Sequence, residues 1–304
     1  MKTIKAGISI LLLSSLSATA ADLPSIKSAP LAAPKPIWTG LHVGLNAGGK
    51  FGNNNGWNSQ TWNLWNNPNF PADSVDYTSQ ALLSGTTSTS SVVGFIGGGQ
   101  IGYDWGVSLK DMNFVAGAEV DLQGIAESTA NNGHWLTAPY ANSYTSAGSI
   151  LSNQQVSDNL SYIGTVRGRL GYLAMPNLLI YATGGLAYGG VNFRFQNTQT
   201  FQDHLSLWNV VYGQSSHSNT QVGWTAGGGL EWMFLPNWSA KAEYLYYDLG
   251  PVGGTVINTS YGIGSVLSGL QSATNFSGRV SGNIARLGVN YHINLGPEPV
   301  IEKF

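Results

Sequence analysis

The sequence predicts an all-β fold, an eight-stranded antiparallel transmembrane β-barrel with four long extracellular loops and three short periplasmic turns. Eight segments alternate apolar with small or polar residues, which is the pattern of strands. Long and short connections alternate between these segments, as in outer-membrane barrels. Charged residues make up only 9% of the chain, against about 25% in typical soluble domains. Such strands suit a wall with lipid on one side and a polar interior on the other.

The N-terminus has the three parts of a secretory signal peptide. Lys2 and Lys5 are positively charged, an apolar stretch follows, and Ala18-Thr19-Ala20 forms a small-x-small cleavage site. A transit peptide would be rich in Arg, which this segment lacks. We therefore assign residues 1–20 to a signal peptide and residues 21–37, which contain four prolines, to a Pro/Ala-rich periplasmic linker.

The barrel is assigned to residues 38–295 and a C-terminal periplasmic tail to residues 296–304. The pattern is clearest in the fourth strand, where Tyr162, Val166 and Leu170 share one parity and Arg167 and Arg169 the other. The predicted strands lie near residues 41–47, 93–107, 113–122, 160–173, 178–195, 222–234, 239–248 and 283–295, and the predicted loops cover residues 52–91, 127–158, 197–219 and 250–281.

The fifth strand alternates less clearly. Val191, Phe193 and Phe195 are predicted to face out, opposite Asn192 and Arg194. Residues 178–186 alternate poorly, and a kink or bulge near Gly184-Gly185 is one explanation.

The charged residues fix which face of each strand points inward. An Arg or Lys on the lipid face costs about 2–4 kcal/mol at the bilayer midplane. The register that avoids this cost turns nine charged residues inward: Asp104, Glu119, Asp121, Arg167, Arg169, Glu231, Lys241, Glu243 and Arg286. An eight-stranded interior is only just wide enough to be filled by side chains. We therefore predict an ion-pair network that plugs the lumen, with Glu119 and Asp121 as partners of Arg167 and Arg169. The lining of a narrow, gated solute path is the alternative.

The five histidines are further candidates for binding a ligand. His42 and His292 are predicted to face inward on the first and last strands, which pair when the barrel closes. Without a carboxylate partner in the sequence pattern they are interpreted as polar lining, and neither a metal nor a cofactor is predicted. His134, His204 and His217 fall in predicted loops. The loop tryptophans Trp57, Trp62, Trp65, Trp135 and Trp208 are interpreted as loop packing, with adhesive contacts as the alternative.

No catalytic motif is present. Residues 97–102 match GxGxxG, but they lie inside a strand, whereas a dinucleotide site needs a following helix. We predict that the chain is not an enzyme, although barrel enzymes use scattered residues that no motif reveals. A net charge of -2 argues against nucleic-acid binding, and the absence of cysteine excludes disulfides.

Several segments of the chain are distinctive in combination: SYIGTVRGRLGYL, LLIYATGGLAYGGV, FVAGAEVDLQG, GGGQIGYDW and GWTAGGGLEWMFLPNWSAKAEYLYYDLG, with the mature start ADLP and Trp38-Thr39-Gly40. Together they resemble the alphaproteobacterial opacity-like surface porin family of small immunogenic outer-membrane proteins. The resemblance implies an eight-stranded surface barrel of the outer membrane, often called a porin, with hemin binding in some relatives. One departure is the end of the chain, since Phe304 lies beyond the last strand.

The resulting functional expectation is an outer-membrane barrel with an envelope-structural and surface-interaction role and limited small-solute permeation. Its expected partners are outer-membrane lipid and lipopolysaccharide, the barrel-assembly machinery and, through a free N-terminus at Ala21, peptidoglycan. The alternative is a surface receptor that binds hemin or another small ligand through the extracellular loops. Both chain termini are expected in the periplasm.

Overall fold

The computed structural model describes the chain from Trp38 to Ile293, with gaps. The described ranges are 38–52, 55–63, 89–90, 93–109, 112–127, 132–140, 148–202, 207–262 and 271–293. The signal peptide, the linker and the tail assigned above lie outside them. Within the described ranges, no helix is long and apolar enough to cross a membrane.

The described residues form twelve β-strands, several of them very long. Their bounds are β1 (Gly40–Gly52), β2 (Asn55–Gly56), β3 (Asn58–Asn63), β4 (Thr89–Ser90), β5 (Val93–Leu109), β6 (Met112–Glu127), β7 (Asn132–Tyr140), β8 (Gly148–Met175), β9 (Leu178–Gln202), β10 (Leu207–Leu235), β11 (Trp238–Gly262) and β12 (Gln271–Ile293). The short β2 and β4 pair only with each other.

The other ten strands form one antiparallel sheet in which eight close into a barrel. Along the wall β1, β5, β6, β8, β9, β10, β11 and β12 are successive neighbours. The barrel closes because β1 also pairs with β12, from Leu41 opposite Ile293 to Gly52 opposite Gly282. The remaining two strands extend the wall at one end, β3 beside β12 and β7 beside β8. The predicted eight-stranded barrel is therefore confirmed.

The two ends of the barrel differ. At one end, which we call the turn end, Pro176-Asn177 joins β8 to β9 and Pro236-Asn237 joins β10 to β11. The carbonyl groups of Asn177 and Asn237 accept hydrogen bonds from Met233 and His292 on adjoining strands, at 2.9 and 2.8 Å. These hydrogen bonds connect each turn to the adjoining strand of the wall. We call the opposite end, where the strands extend furthest and β3 and β7 lie, the loop end.

The outer surface carries a belt of exposed apolar side chains. They are between 37% and 74% exposed, and the belt contains Val43, Leu45, Ile101, Val120, Leu122, Val166, Leu170, Ile180, Leu186, Leu230, Leu287 and Val289. Aromatic side chains edge the belt at the turn end (Trp105, Tyr172, Trp232, Phe234, Trp238 and Tyr291) and at the loop end (Phe51, Phe95 and Trp224). A soluble protein rarely exposes so much contiguous apolar surface, whereas a membrane barrel requires it.

Beyond the belt the strands continue with inverted polarity, which corrects the prediction for β9. Val191, Phe193 and Phe195 are 4%, 6% and 1% exposed and point inward, whereas Arg194 is exposed. The outer face at this height meets a polar phase, so apolar side chains turn inside as in a soluble sheet. Consequently much of the predicted loops at residues 127–158, 197–219 and 250–281 is strand, and residues 58–63 of the predicted loop at 52–91 form β3. No bulge occurs at Gly184-Gly185. The register shifts between β8 and β9 lie on β8, between Leu160 and Ile163 and between Leu173 and Met175.

Apolar side chains fill the barrel interior on both sides of its charged middle. At the turn end the cluster consists of Trp38, Val115, Leu179, Tyr181 and Met233. Towards the loop end lies a larger cluster, made of Ile96, Leu160, Ile163, Ala187, Val191, Leu245, Tyr247, Leu249, Val280 and Ile284. Further along, Trp57, Val156, Phe193, Phe195, Val256 and Phe276 form an aromatic cluster. The interior is thus a layered core.

The wall is interrupted between β10 and β11 above the belt. These strands pair up to Trp224 opposite Asp248 and resume only at Tyr212 opposite Thr259. Gly250 has φ = 83°, a conformation that side-chain-bearing residues rarely adopt. Its amide donates to Asp248 Oδ1 at 2.9 Å, and Pro251, which follows, has no N–H to offer β10. This kink turns β11 away from its neighbour.

Candidate functional site

The nine inward charges meet in the middle of the barrel. All are 0–5% exposed. Alternation places them, because each lies on the inward parity of its strand; Glu119 and Asp121, for example, are two residues apart on β6. Five of the nine are carboxylates and four are guanidinium or ammonium groups. Burial of a charge is tolerated only when it is paired and hydrogen-bonded, so the partners decide whether this layer is stable.

Arg167 is the centre of the layer. Its guanidinium donates to Glu119 at 2.5 Å, to Asp121 at 2.9 Å and, across the lumen, to Glu243 at 3.0 Å. Its Nε donates to Thr165 at 2.9 Å. Both carboxylates predicted as partners from the neighbouring strand are therefore present, and a third comes from β11.

Arg169 makes its hydrogen bonds with carboxylates other than those predicted. Its Nε donates to Asp104 Oδ1 at 2.7 Å and its Nη1 to Glu231 at 2.8 Å, while Glu119 is 4.0 Å away. The Arg169 guanidinium also lies 5.5 Å from the centre of the Tyr181 ring. The prediction considered only the adjacent strand, whereas a long side chain in a narrow barrel reaches strands two or more positions away.

Lys241 and Arg286 complete the network. Lys241 Nζ donates to both oxygens of Glu119, at 2.9 and 3.0 Å. Arg286 donates to Asp121 at 2.8 Å and to Glu243 at 2.7 Å. Most of these carboxylates are thus shared between cations from different strands. The arrangement links opposite walls of the barrel and occupies the lumen.

A smaller charged group nearer the loop end was missed by the sequence interpretation. Lys50 forms an ion pair with Glu127, whose other carboxylate oxygen accepts the Leu160 amide at 2.5 Å. Lys50 has the parity of His42 on β1, and Glu127 has the parity of Glu119 on β6. Continuing the alternation beyond the predicted strand ends would have found both residues.

The inward histidines adjoin this network, which corrects the interpretation that they lack carboxylate partners. His42 and His292 face each other across the seam between β1 and β12, with ring centres 5.6 Å apart. His42 Nδ1 lies 3.0 Å from Asp104 Oδ2 and its Nε2 lies 3.4 Å from Glu119. His292 Nε2 is 2.9 Å from Ser239 Oγ and 3.4 Å from Glu231. Neither pairing could be read from the sequence, since the partners lie on other strands.

Glycine provides the space for this pair. A Cβ at Gly102 would lie 2.5 Å from the His42 imidazole, so only glycine fits beneath the ring. Gly102 belongs to the segment that matches GxGxxG, and that segment lies within β5. Gly98 and Gly102 relieve crowding on the inner wall. Because the segment lies within a strand, no dinucleotide-binding turn is formed.

The other candidate residues are scattered. His217 is exposed on β10, within the stretch that does not pair with β11. The His134 backbone pairs with Gln154 at the loop end, but its side chain, like His204 and Ala21, lies outside the described part of the chain. Trp57 is 3% exposed and stacks on Phe193 with ring centres 4.5 Å apart, so it packs the extension as expected. Trp135 is 61% exposed.

Three features define an outer-membrane β-barrel protein. They are a closed antiparallel wall, an exposed apolar belt edged by aromatic side chains, and a buried charged interior. Comparison with known proteins agrees. The family model described as "outer membrane protein beta-barrel domain" matches residues 8–292, and the chain belongs to this family.

Among curated relatives, the chain is similar to the 31 kDa outer-membrane immunogenic protein of Brucella melitensis. The two are 34% identical over 281 residues, which cover 90% of this chain and 93% of that protein. It is also similar to a 22 kDa outer membrane protein of Rhizobium leguminosarum, at 32% identity over 102 residues, or 34% and 40% of the two chains. Both are alphaproteobacterial outer-membrane proteins, so the expected family is confirmed.

Solved structures that match the chain include the outer membrane protein OprG of Pseudomonas aeruginosa. It is 10% identical, with a TM-score of 0.34, and the match covers 86% of this chain and 99% of that one. The attachment invasion protein Ail of Yersinia pestis matches with 12% identity, a TM-score of 0.25 and coverage of 82% and 99%. At this similarity neither structure bears on function, and the fold rests on the strand pairing described above.

Proposed function

We propose that this protein is a closed, non-enzymatic barrel of the outer membrane with an envelope-structural and surface-interaction role. The observation that carries the proposal is the filled lumen. Four cationic side chains are hydrogen-bonded to five carboxylates from facing walls, and apolar clusters lie on both sides of them. A conducting pore needs a continuous polar path, which these layers oppose. In this role the exposed belt contacts outer-membrane lipid and lipopolysaccharide, and the barrel-assembly machinery inserts the chain.

Conductance tests the closed lumen directly. The refolded barrel in a planar bilayer should give no stable openings of porin size, because a path would require several buried ion pairs to separate at once. A large general porin, inserted in the same bilayer, serves as the positive control. Regular single-channel steps from this protein would contradict the proposal and favour limited small-solute permeation.

The proposed orientation places the turn end and both chain termini in the periplasm and the loop end outside the cell. Short periplasmic turns and longer outer connections are the rule for such barrels. Because the chain has no cysteine, single cysteines can report the orientation. On intact cells a membrane-impermeant maleimide should label Thr137→Cys on β7 and should leave Ala174→Cys at the turn end unlabelled. The reverse pattern would refute the orientation.

A hemin receptor at the loop end is a second candidate function, favoured by one observation. His217 is exposed, and a Cβ built on Gly254 would be 3.6 Å from its Nε2 and 2.9 Å from the Phe276 ring. An accessible imidazole beside an aromatic cluster suits a planar ligand with an iron centre. Hemin titration should then show a Soret shift that His217→Ala loses and that Ser218→Ala keeps. An unchanged spectrum for the wild-type barrel would remove this candidate.

Attachment to peptidoglycan through Ala21 is a further part of the proposed envelope role. It rests on the proline-rich spacer of residues 21–37, which is long enough in sequence to separate the new N-terminus from the barrel. A fraction of the chain should stay with purified sacculi in hot detergent and be released by muramidase. Complete extraction by detergent alone would contradict the attachment.

A further inference from the structure

The seam of the barrel contains a group of side chains that the closed-lumen role does not use. One donor atom each from His42, Asp104 and His292 lies within 4.8 Å of the other two, and all three residues are buried. They come from β1, β5 and β12, so the group spans the pair of strands whose contact closes the barrel. Two imidazoles and one carboxylate are the ligands of many zinc sites.

The hydrogen bonding of His42 is incomplete. The residue is 0% exposed, yet neither ring nitrogen makes a hydrogen bond of ordinary geometry with any described group, despite the nearby carboxylates. A buried polar atom without a partner costs about 1–3 kcal/mol. Coordination of a cation, or a proton shared with Asp104, would satisfy these atoms.

The charge balance of the layer also favours a cation here. Five carboxylates face four cationic side chains, so one negative charge is in excess when the imidazoles are neutral. Three of those carboxylates, Asp104, Glu119 and Glu231, lie within 3.4 Å of a histidine ring nitrogen. Arg169 holds Asp104 through Nε to Oδ1 at 2.7 Å and through Nη2 to Oδ2, and it also holds Glu231. Lys241 and Arg167 hold Glu119. A cation at the histidines would therefore offset the one excess negative charge of the layer, against repulsion from Arg169.

The surroundings would also hold the ligands in place. Ser239 and Glu231 contact Nε2 of His292 at 2.9 and 3.4 Å, so a metal at this imidazole would be bound by the other ring nitrogen. A carboxylate on the far nitrogen is the usual way in which metal-binding histidines are oriented. Trp38 lies edge-on to His292, with ring centres 5.9 Å apart, and donates its indole N–H to the Pro176 carbonyl at 2.9 Å. It therefore covers the group at the turn end.

We propose that His42, Asp104 and His292 bind one divalent transition cation of the Zn²⁺ type, which joins β1, β5 and β12 at the seam of the barrel. Zinc–ligand bonds of about 2.0–2.2 Å would draw the three donor atoms, which lie within 4.8 Å of one another, closer together. A cation that binds the folded chain and not the unfolded one stabilises the barrel. The bound cation would therefore hold the first and last strands together. Because the site is buried behind Trp38, we expect the cation to bind during folding and to dissociate slowly afterwards.

The test uses the untagged mature chain, refolded in detergent with excess Zn²⁺ and then freed of unbound metal by gel filtration. Elemental analysis should find about one zinc per chain. His42→Gln and His292→Gln should each lower the retained zinc by roughly ten-fold or more, whereas His217→Gln, which alters an exposed histidine, should retain it. Zinc retained by a His42→Gln/His292→Gln double variant would overturn the proposal, because the loop histidines would then be the ligands.

A second measurement needs no variant and so remains valid should a substitution prevent folding. The folded form of the wild-type barrel should convert to the unfolded gel band at a higher temperature after refolding with Zn²⁺ than after refolding with EDTA. Refolding with Co²⁺ should give the visible absorption of a cobalt–imidazole complex. Absence of bound zinc in the wild-type barrel, together with equal conversion temperatures, would overturn the proposal.

Discussion

Removal of the central guanidinium is the most direct test of the interior network. Arg167 is buried and donates to Glu119, Asp121 and Glu243. Breaking a buried ion pair by deleting one partner costs about 3–5 kcal/mol. Here each carboxylate keeps a second cation, since Lys241 holds Glu119 at 2.9 Å and Arg286 holds Asp121 at 2.8 Å. We therefore expect Arg167→Gln to destabilise the barrel by about 3 kcal/mol, the lower end of that range.

The assay is urea unfolding in lipid vesicles, followed by tryptophan fluorescence. Arg194→Gln is the matched control, because Arg194 is exposed on the adjacent strand, and it should change stability by no more than about 0.5 kcal/mol. The double variant Arg167→Gln/Glu119→Gln should lose less than the sum of the single variants, by about 0.5–3 kcal/mol. Equal stability of Arg167→Gln and the control would refute the view that these ion pairs hold the interior together.

Three further predictions concern other parts of the fold. Gly102→Ala should destabilise the barrel by about 1–3 kcal/mol through overpacking, because its Cβ would lie 2.5 Å from the His42 imidazole. Gly99→Ala should be tolerated, because the nearest atom to its Cβ would be 3.7 Å away. Urea unfolding compares the two variants. Phe193→Ala should cost about 3–5 kcal/mol by leaving a cavity in the aromatic cluster, and a wild-type unfolding midpoint would contradict this. Burial raises the pKa of Asp248, but hydrogen bonds from Arg279 and the Gly250 amide have the larger effect and leave the pKa below its ordinary value of 3.8. The ionised Asp248 therefore stabilises the folded barrel above pH 3.8, and this contribution is lost as the pH falls through the lower, folded-state pKa. Unfolding of Asp248→Asn should therefore differ from wild type at neutral pH and converge with it in acid.

The sequence predicted the wall of the barrel because alternation with a period of two survives wherever lipid faces one side. The same pattern predicted which charges point inward, since a single slip would place several of them in lipid. It failed above the belt, where residues such as Phe193 and Arg194 still alternate but with the faces exchanged. A period of two does not reveal at what height the outer phase changes from lipid to water.

What the sequence by itself determined is the set of nine charges that face the lumen inside the belt and the strands that carry them, because inside the belt local alternation decides which face is buried. Only the tertiary structure decided which of the buried charged and histidine side chains contact each other. Arg169 reaches Asp104 and Glu231 rather than its expected partners, and His42 meets His292 at the seam. These contacts follow from the curvature and closure of the wall, which bring strands distant in sequence to within one side-chain length of each other.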